Sequence, residues 1–322
     1  MVRRTLAGFV VLVLVLGLVT AASAPSPDPA RDYLFNALGL LRAHSIDRDS
    51  VDWPAVEAEA LRRAAGVTAP AGTYSAIRGA IFALGNRHTM LRDPALAAPP
   101  PPQTIEVPSA RTIGDVAVLT VPMFAQDPAG ERRYVAAGEA AVRSADASRP
   151  CGWIVDLRDN GGGDMFPMLT VVAPLLDEGD LGFFRGPNGS NTWSLRAGRV
   201  LLDGVPEAAE ANPLRLTRPR PPVAVLTSAR TASSGEATLV AFRGLTRAAT
   251  FGQPTAGFAT GNEVFHLSDG AELLVTSVSD VDRTGRVYGN HPIRPEHPLP
   301  ATATTDEVIA AASAWLHTQP GC

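Results

Sequence analysis

The order of apolar runs along the chain predicts an α/β protein preceded by a helical N-terminal segment. Two observations carry that expectation. From Val116 onward, short apolar runs of strand length alternate with helical stretches, and upstream of the proline run Pro99–Pro102 the apolar spacing is helical.

The elements follow in order. Met1-Val2-Arg3-Arg4 is a short positive start, Leu6 to Val19 is almost unbroken apolar sequence, and Ala21-Ala22-Ser23-Ala24 supplies small residues suited to a signal-peptidase cut. This arrangement predicts a signal peptide over residues 1–24 and export, secreted or into the cell envelope. An uncleaved anchor is the alternative, and membrane contact is expected only if the apolar segment is retained. Pro29 to Arg92 reads as helical, with Leu34, Leu38 and Leu41 at helical spacing, Asp52 as an N-cap before Ala55–Ala65, and a third helix over Thr73–Leu84. The four prolines mark a boundary between a helical segment over residues 29–98 and a core over residues 103–322.

In the core, Val116–Val121 and Trp153–Leu157 read as strands, and Arg133–Ser144 and Phe166–Leu176 as helices. Phe183–Val200 is hairpin material. Val223–Leu226 is a buried strand running into a helix over Ser234–Phe242. Glu263–Leu267 and Glu272–Val278 form a hairpin around Asp269-Gly270, and Asp306–Leu316 is the last helix. There is no room between Pro102 and Ile154 for an additional binding domain.

Composition removes several mechanisms. The chain has no lysine, so all 28 residues of the Lys+Arg count are arginines. A guanidinium stays protonated and is no ordinary general base, which excludes a serine–lysine dyad and leaves the six histidines. A net charge of −4 without a basic stripe gives no expectation of nucleic acid. His291, His297, Glu296 and Asp280 lack the spacing of a zinc signature, so neither a metal nor a cofactor is expected. His266, in an alternating stretch, reads as a strand residue facing solvent or a partner. The two cysteines, Cys151 and Cys322, invite a disulfide in an oxidising compartment; two unpaired thiols are the alternative, and geometry decides between them.

Three segments carry chemistry. Val223 to Glu236 runs from a buried strand through small polar residues into a helix opening at Ser233, where unpaired amides and the helix dipole stabilise a developing oxyanion. Ser233-x-x-Glu236 is equally the pattern of a capping box. Asp156 to Asp164 contains Gly161-Gly162-Gly163 after a strand. Such a loop brings backbone amides close to an anionic oxygen, or is simply a tight turn. Leu84 to Leu91 places His88 in a loop after a helix, as a base or as a structural histidine.

Together, and in this order, these segments resemble the S41 family of serine peptidases, the tail-specific or C-terminal-processing group with its tricorn-like relatives. Ser233-Ser234-Gly235-Glu236 matches the family's Ser-Ala-x-Glu, Asp156–Gly163 its Asp-Leu-Arg-x-Asn-x-Gly-Gly loop, and Leu84–Thr89 its Leu-x-Asp-x-His-Ser/Thr segment, with Asn86 for the aspartate. Gly252–Gly257 resembles the turn that follows the nucleophile. The resemblance runs from about Arg31 to Pro298.

The resemblance implies a ClpP/crotonase-like core of layered sheets and helices. It also implies a peptide or protein substrate, Ser233 as nucleophile, His88 as base, and an oxyanion hole from the amide of Ser234 with that of Gly161 or Gly162. Two departures stand out. Phe258 occupies the position of the lysine used by the processing branch, whose PDZ domain is missing. Gly289 stands where the tricorn-like branch has a glutamate, so Asp280 or Asp282 becomes the candidate acid, or the site works poorly. A ligand- or peptide-binding protein on the same scaffold is therefore the alternative to a peptidase, and a crotonase-like acyl-thioester enzyme ranks behind both.

Overall fold

Asp28 opens the first helix. Its carboxylate accepts the Arg31 amide at 3.0 Å, and Pro29 fills a first-turn position that needs no N–H. In the computed structural model, which describes residues 28–97, 105–125 and 128–322, three helices follow one another: α1 (Pro29–His44), α2 (Trp53–Arg63) and α3 (Tyr74–Ala83). Asp52 caps α2 through the Ala55 amide at 3.2 Å, as the sequence suggests. The segment expected to be a signal peptide and the four prolines lie outside the described residues.

The helical reading of Pro29–Arg92 holds only as far as Ala83. Gly85, at φ +70°, turns the chain, and β1 (Met90–Arg92) is a strand. After α4 (Pro94–Ala97) come β2 (Ser109–Ile113), β3 (Val116–Thr120), α5 (Pro128–Asp146), β4 (Gly152–Asp156), α6 (Met165–Val172), β5 (Gly179–Gly186), β6 (Gly189–Arg196), β7 (Arg199–Leu202) and β8 (Val205–Pro206). The chain continues through β9 (Val223–Thr227), α7 (Ser234–Val240), β10 (Ala248–Gly252), β11 (Thr260–His266), β12 (Glu272–Asp282), β13 (His297–Pro298) and α8 (Thr305–Leu316).

Among the described residues the strands form two sheets. One has the order β13-β10-β9-β4-β3-β2, parallel from β13 to β3 with β2 antiparallel at the edge. The other is antiparallel, in the order β1-β12-β5-β6-β7-β8 with β11 also paired to β12. The parallel strands are apolar on both faces because both are covered. Trp153, Val155, Val223 and Val225 meet Met168, Leu169, Leu239 and Trp193 in the main core. Ile154, Ala224 and Leu226 turn the other way, onto Val308, Ile309, Ala312 and Leu316 of α8. The N-terminal helices bury Leu34, Leu41, Ile77 and Ile81 against Leu273 and Val275 of β12, so this helical segment is built onto the antiparallel sheet.

Cys151, just before β4, and Cys322, beyond α8, are joined by a disulfide that pins the C-terminal end to the parallel sheet. No helix among the described residues is long and apolar enough to cross a membrane.

Candidate active site

Parallel strands deliver their following loops to the same edge of a sheet, and here three neighbouring strands do so. Loop 121–125 follows β3, the glycine loop follows β4, and the loop to Ser233 follows β9. Asn160, only 1% exposed, ties them together. Its Nδ2 donates to the carbonyls of Val121 and Pro122 at 3.0 and 3.2 Å, its Oδ1 accepts the Gly162 amide at 3.0 Å, and its carbonyl accepts the Ala232 amide at 3.0 Å. An asparagine is suited to this because one amide group both donates and accepts.

The glycines are required by close approach. A Cβ on Gly162 would lie 2.9 Å from the Ser233 Cβ, and one on Gly163 would lie 1.9 Å from the Phe124 carbonyl oxygen. Both have φ above +100°. The glycine loop and Ser233 are therefore in direct apposition, as the sequence suggests.

Ser233 itself sits at φ +50° and ψ −120°, a conformation that side-chain-bearing residues seldom adopt. A capping box is present in outline, but the serine hydroxyl makes no full cap hydrogen bond, since the Glu236 amide points at the Ser233 carbonyl at 2.7 Å. An ordinary cap has extended backbone, so simple capping does not account for this residue. A strained residue carrying a hydroxyl at the turn from a strand into a helix is the geometry of a nucleophile elbow.

Glu236 is fully buried and gathers four donors. They are the amides of Ser233 (3.0 Å), Gly257 (3.0 Å) and Phe258 (2.7 Å), and the Thr255 hydroxyl. Burial pushes its carboxyl above the usual range, and the four donors only partly offset this. The glutamate thus fastens Ser233 to the turn that follows β10. The sequence reading treated it as the far half of a cap and missed this second attachment.

His88 reaches the site from the other sheet. Asn86, buried, accepts the amides of His88 and Thr89 at 2.8 and 3.1 Å and the Thr276 hydroxyl at 3.1 Å, and donates to Asp47 at 2.7 Å. Asn86 thus shapes the loop carrying the histidine. The His88 ring lies against Phe258, with centroids 5.1 Å apart, and its Nδ1 is 2.7 Å from Thr260 Oγ1. Burial pushes the imidazole down to about 4. Ser233 and His88 are therefore linked through Glu236 and Phe258, while no hydrogen bond joins their side chains directly among the described residues.

Of the proposed oxyanion donors, the Gly162 amide is already committed to Asn160 Oδ1. The amides of Ser234 and Gly161 have no partner among the described residues. The Ser234 hydroxyl donates to the Gly163 carbonyl at 2.7 Å, a further tie between the helix and the glycine loop.

Among the described residues no acid hydrogen-bonds or ion-pairs with His88. Gly289 does stand beside the site, bridged to Ala259, but at φ +69°, and a Cβ there would lie 3.4 Å from Ser279 Oγ. Asp282 is spent on its own turn, accepting from Thr284, Arg286 and Tyr288. Asp280 is buried with neither carboxylate oxygen partnered, and burial together with nearby Glu236 raises it far above the usual range. His266 is exposed beside Glu272. Among the described residues, the metal-capable side chains that gather are Cys151, His317 and Cys322, whose two sulfurs are already bonded to each other.

The family model for peptidase family S41 matches residues 115–299. The chain is 27% identical over 294 residues to a nisin-resistance protein of Lactococcus lactis subsp. lactis, covering 91% of this chain and 89% of that one. It is 29% identical over 174 residues to the chloroplastic carboxyl-terminal-processing peptidase 2 of Arabidopsis thaliana, which is 52% of this chain but only 30% of that one. In fold it is similar to a lipoprotein from Streptococcus agalactiae, at a TM-score of 0.74 and 23% identity over 92% of this chain and 98% of that one. It is also similar to the photosystem II D1 C-terminal processing protease, at 0.62 and 16% over 88% and 96%. The glycine loop, the strained serine and the turn that Glu236 holds all fall within the matched segment, and the chain belongs to peptidase family S41.

Proposed function

We propose that this chain is an exported serine peptidase that hydrolyses peptide bonds through an acyl-enzyme on Ser233, with His88 as general base. The observation that carries the reading is the strained Ser233 at the start of α7, pressed against Gly162. In the first step Ser233 Oγ attacks the scissile carbonyl and its proton passes to His88 Nε2. The same proton then goes to the leaving amine as the C–N bond breaks, and water repeats the sequence on the ester. The amides of Ser234 and Gly161 are the donors for the tetrahedral oxygen, each worth a few kcal/mol. The N-terminal basic-apolar-small pattern supports export. The nisin-resistance name of the Lactococcus relative makes nisin-like peptides the first substrates to assay.

A fluorophosphonate probe and a peptide-hydrolysis assay test this reading. Ser233→Ala should lose both labelling and turnover while its thermal unfolding stays close to that of the parent. Turnover that survives in Ser233→Ala sinks the assignment. A second reading, a peptide-binding protein on the same scaffold, is favoured by Gly289 and by the absence, among the described residues, of an acid hydrogen-bonded to His88. It predicts saturable peptide binding with neither labelling nor hydrolysis.

A further inference from the structure

A neutral imidazole carries one proton, and the partner of one ring nitrogen decides which of the two holds it. For His88 to accept a proton at Nε2, its own proton must sit on Nδ1. The position where the resemblance to the tricorn-like branch places a glutamate is Gly289, and neither Asp280 nor Asp282 makes a hydrogen bond to the ring. The Nδ1 neighbour is Thr260 Oγ1, at 2.7 Å.

We propose that Thr260 is the positioning residue for His88, its hydroxyl oxygen accepting the Nδ1 proton and so holding a free lone pair on Nε2. The proposal rests on the reading of His88 as the base. Thr260 is suited to the task because it cannot easily move. It is 4% exposed and opens β11, and its amide donates to the Phe258 carbonyl at 2.7 Å. It is also β-branched, so its hydroxyl direction is stiff. Phe258 packs on the ring while Thr260 holds its edge, and the two contacts come from residues two apart on one segment.

The proton count closes without an acid. The Ser233 proton moves to Nε2, Nδ1–H stays on Thr260, and the Nε2 proton leaves with the amine, so Thr260 neither gains nor loses one. A carboxylate can only accept and fixes the tautomer outright. A hydroxyl can accept or donate, so Thr260 holds Nδ1–H by turning its own O–H away from the ring, and it brings no negative charge to the imidazolium.

The test is a long-range 1H–15N spectrum of protein labelled at histidine, with the His88 signals assigned by their loss in His88→Gln. The wild-type ring should carry its proton on Nδ1. In Thr260→Val the population should shift toward Nε2–H, and Thr260→Ser should restore it. Where hydrolysis is measurable, kcat in Thr260→Val should fall roughly ten- to a hundred-fold with KM little changed, and recover in Thr260→Ser. A wild-type ring protonated on Nε2, a tautomer unmoved by Thr260→Val, or full kcat in that variant overturns the proposal. The wild-type spectrum decides even if the valine variant does not fold. Failure of the peptidase reading is distinguishable, because it shows as an absence of Ser233-dependent turnover and labelling whatever the tautomer.

Discussion

The phenyl ring of Phe258 lies against the imidazole of His88, centroid to centroid 5.1 Å, and the guanidinium of Arg87 sits 4.9 Å from the centre of the same phenyl. By the resemblance to peptidase family S41, the processing branch has a lysine at the Phe258 position. Here the amine is exchanged for an aromatic that covers a histidine brought from the other sheet. Under the proposed reading this changes the chemistry expected of the site, because the base is then a partly buried imidazole.

The first consequence concerns pH. Burial lowers His88 from the ordinary 6.5 to about 4, so the ring is neutral and able to accept a proton at pH 7 and well below it. The acid limb of kcat/KM should therefore fall near pH 4, and Phe258→Ala, which uncovers the ring, should move it up toward 6.5. A wild-type limb near 6.5 contradicts the buried-base account.

Stability follows from the same displacement. Below pH 6.5 the unfolded chain binds a proton that the folded chain refuses until about pH 4, so stability is full above 6.5 and is lost as pH falls through that window. A displacement of this size is worth on the order of 3 kcal/mol. Urea unfolding of the parent and of His88→Gln at pH 7 and at pH 4 should show the parent losing more, by up to that amount.

Glu236 supplies a third test. Glutamine keeps the shape but turns an NH2 toward donors that need an acceptor. Glu236→Gln should cost about 2–3 kcal/mol and also slow fluorophosphonate labelling, because it loosens Ser233 and the turn carrying Phe258 together. Labelling at the parent rate would show that the glutamate holds the fold without aligning the serine.

The disulfide is the fourth. Cys151 and Cys322 are 171 residues apart in sequence, and closing a loop of that length restrains the unfolded chain by about 5 kcal/mol in the chain-entropy model. The double variant Cys151→Ser/Cys322→Ser should melt lower by several degrees. Its hydrolysis per folded molecule should be unchanged, since Cys151 precedes β4 and the glycine loop follows that strand's far end.

Much of this was legible in the sequence, and for identifiable reasons. The α/β class showed because β9 and β4 are continuous apolar runs, and α2 because Asp52 and Pro54 mark its start. Strands β2 and β10 were missed: Ser109–Ile113 is a largely exposed edge, and Ala248–Gly252 opens with two alanines, so neither shows the expected pattern. β1 was read as helix because its pairing partner, β12, lies some 180 residues away in sequence.

In the site, the order of the glycine loop, Ser233 and His88 was readable because each sits in a short local motif. The four-donor shell of Glu236 and the bond from His88 to Thr260 were not. They join residues 22 and 172 positions apart, a distance at which no local pattern speaks. Ser233's strain was equally hidden, since capping boxes and nucleophile turns are spelled alike.

The bond between Cys151 and Cys322 has one more effect, on what happens after a cut. On the proposed reading the chain works among other peptidases and among copies of itself. A single nick anywhere between residues 151 and 322 leaves both pieces attached by that bond. The glycine loop, Ser233, Glu236, Phe258 and Thr260 all lie inside the closed ring, so a molecule nicked there cannot shed them until it meets a reductant.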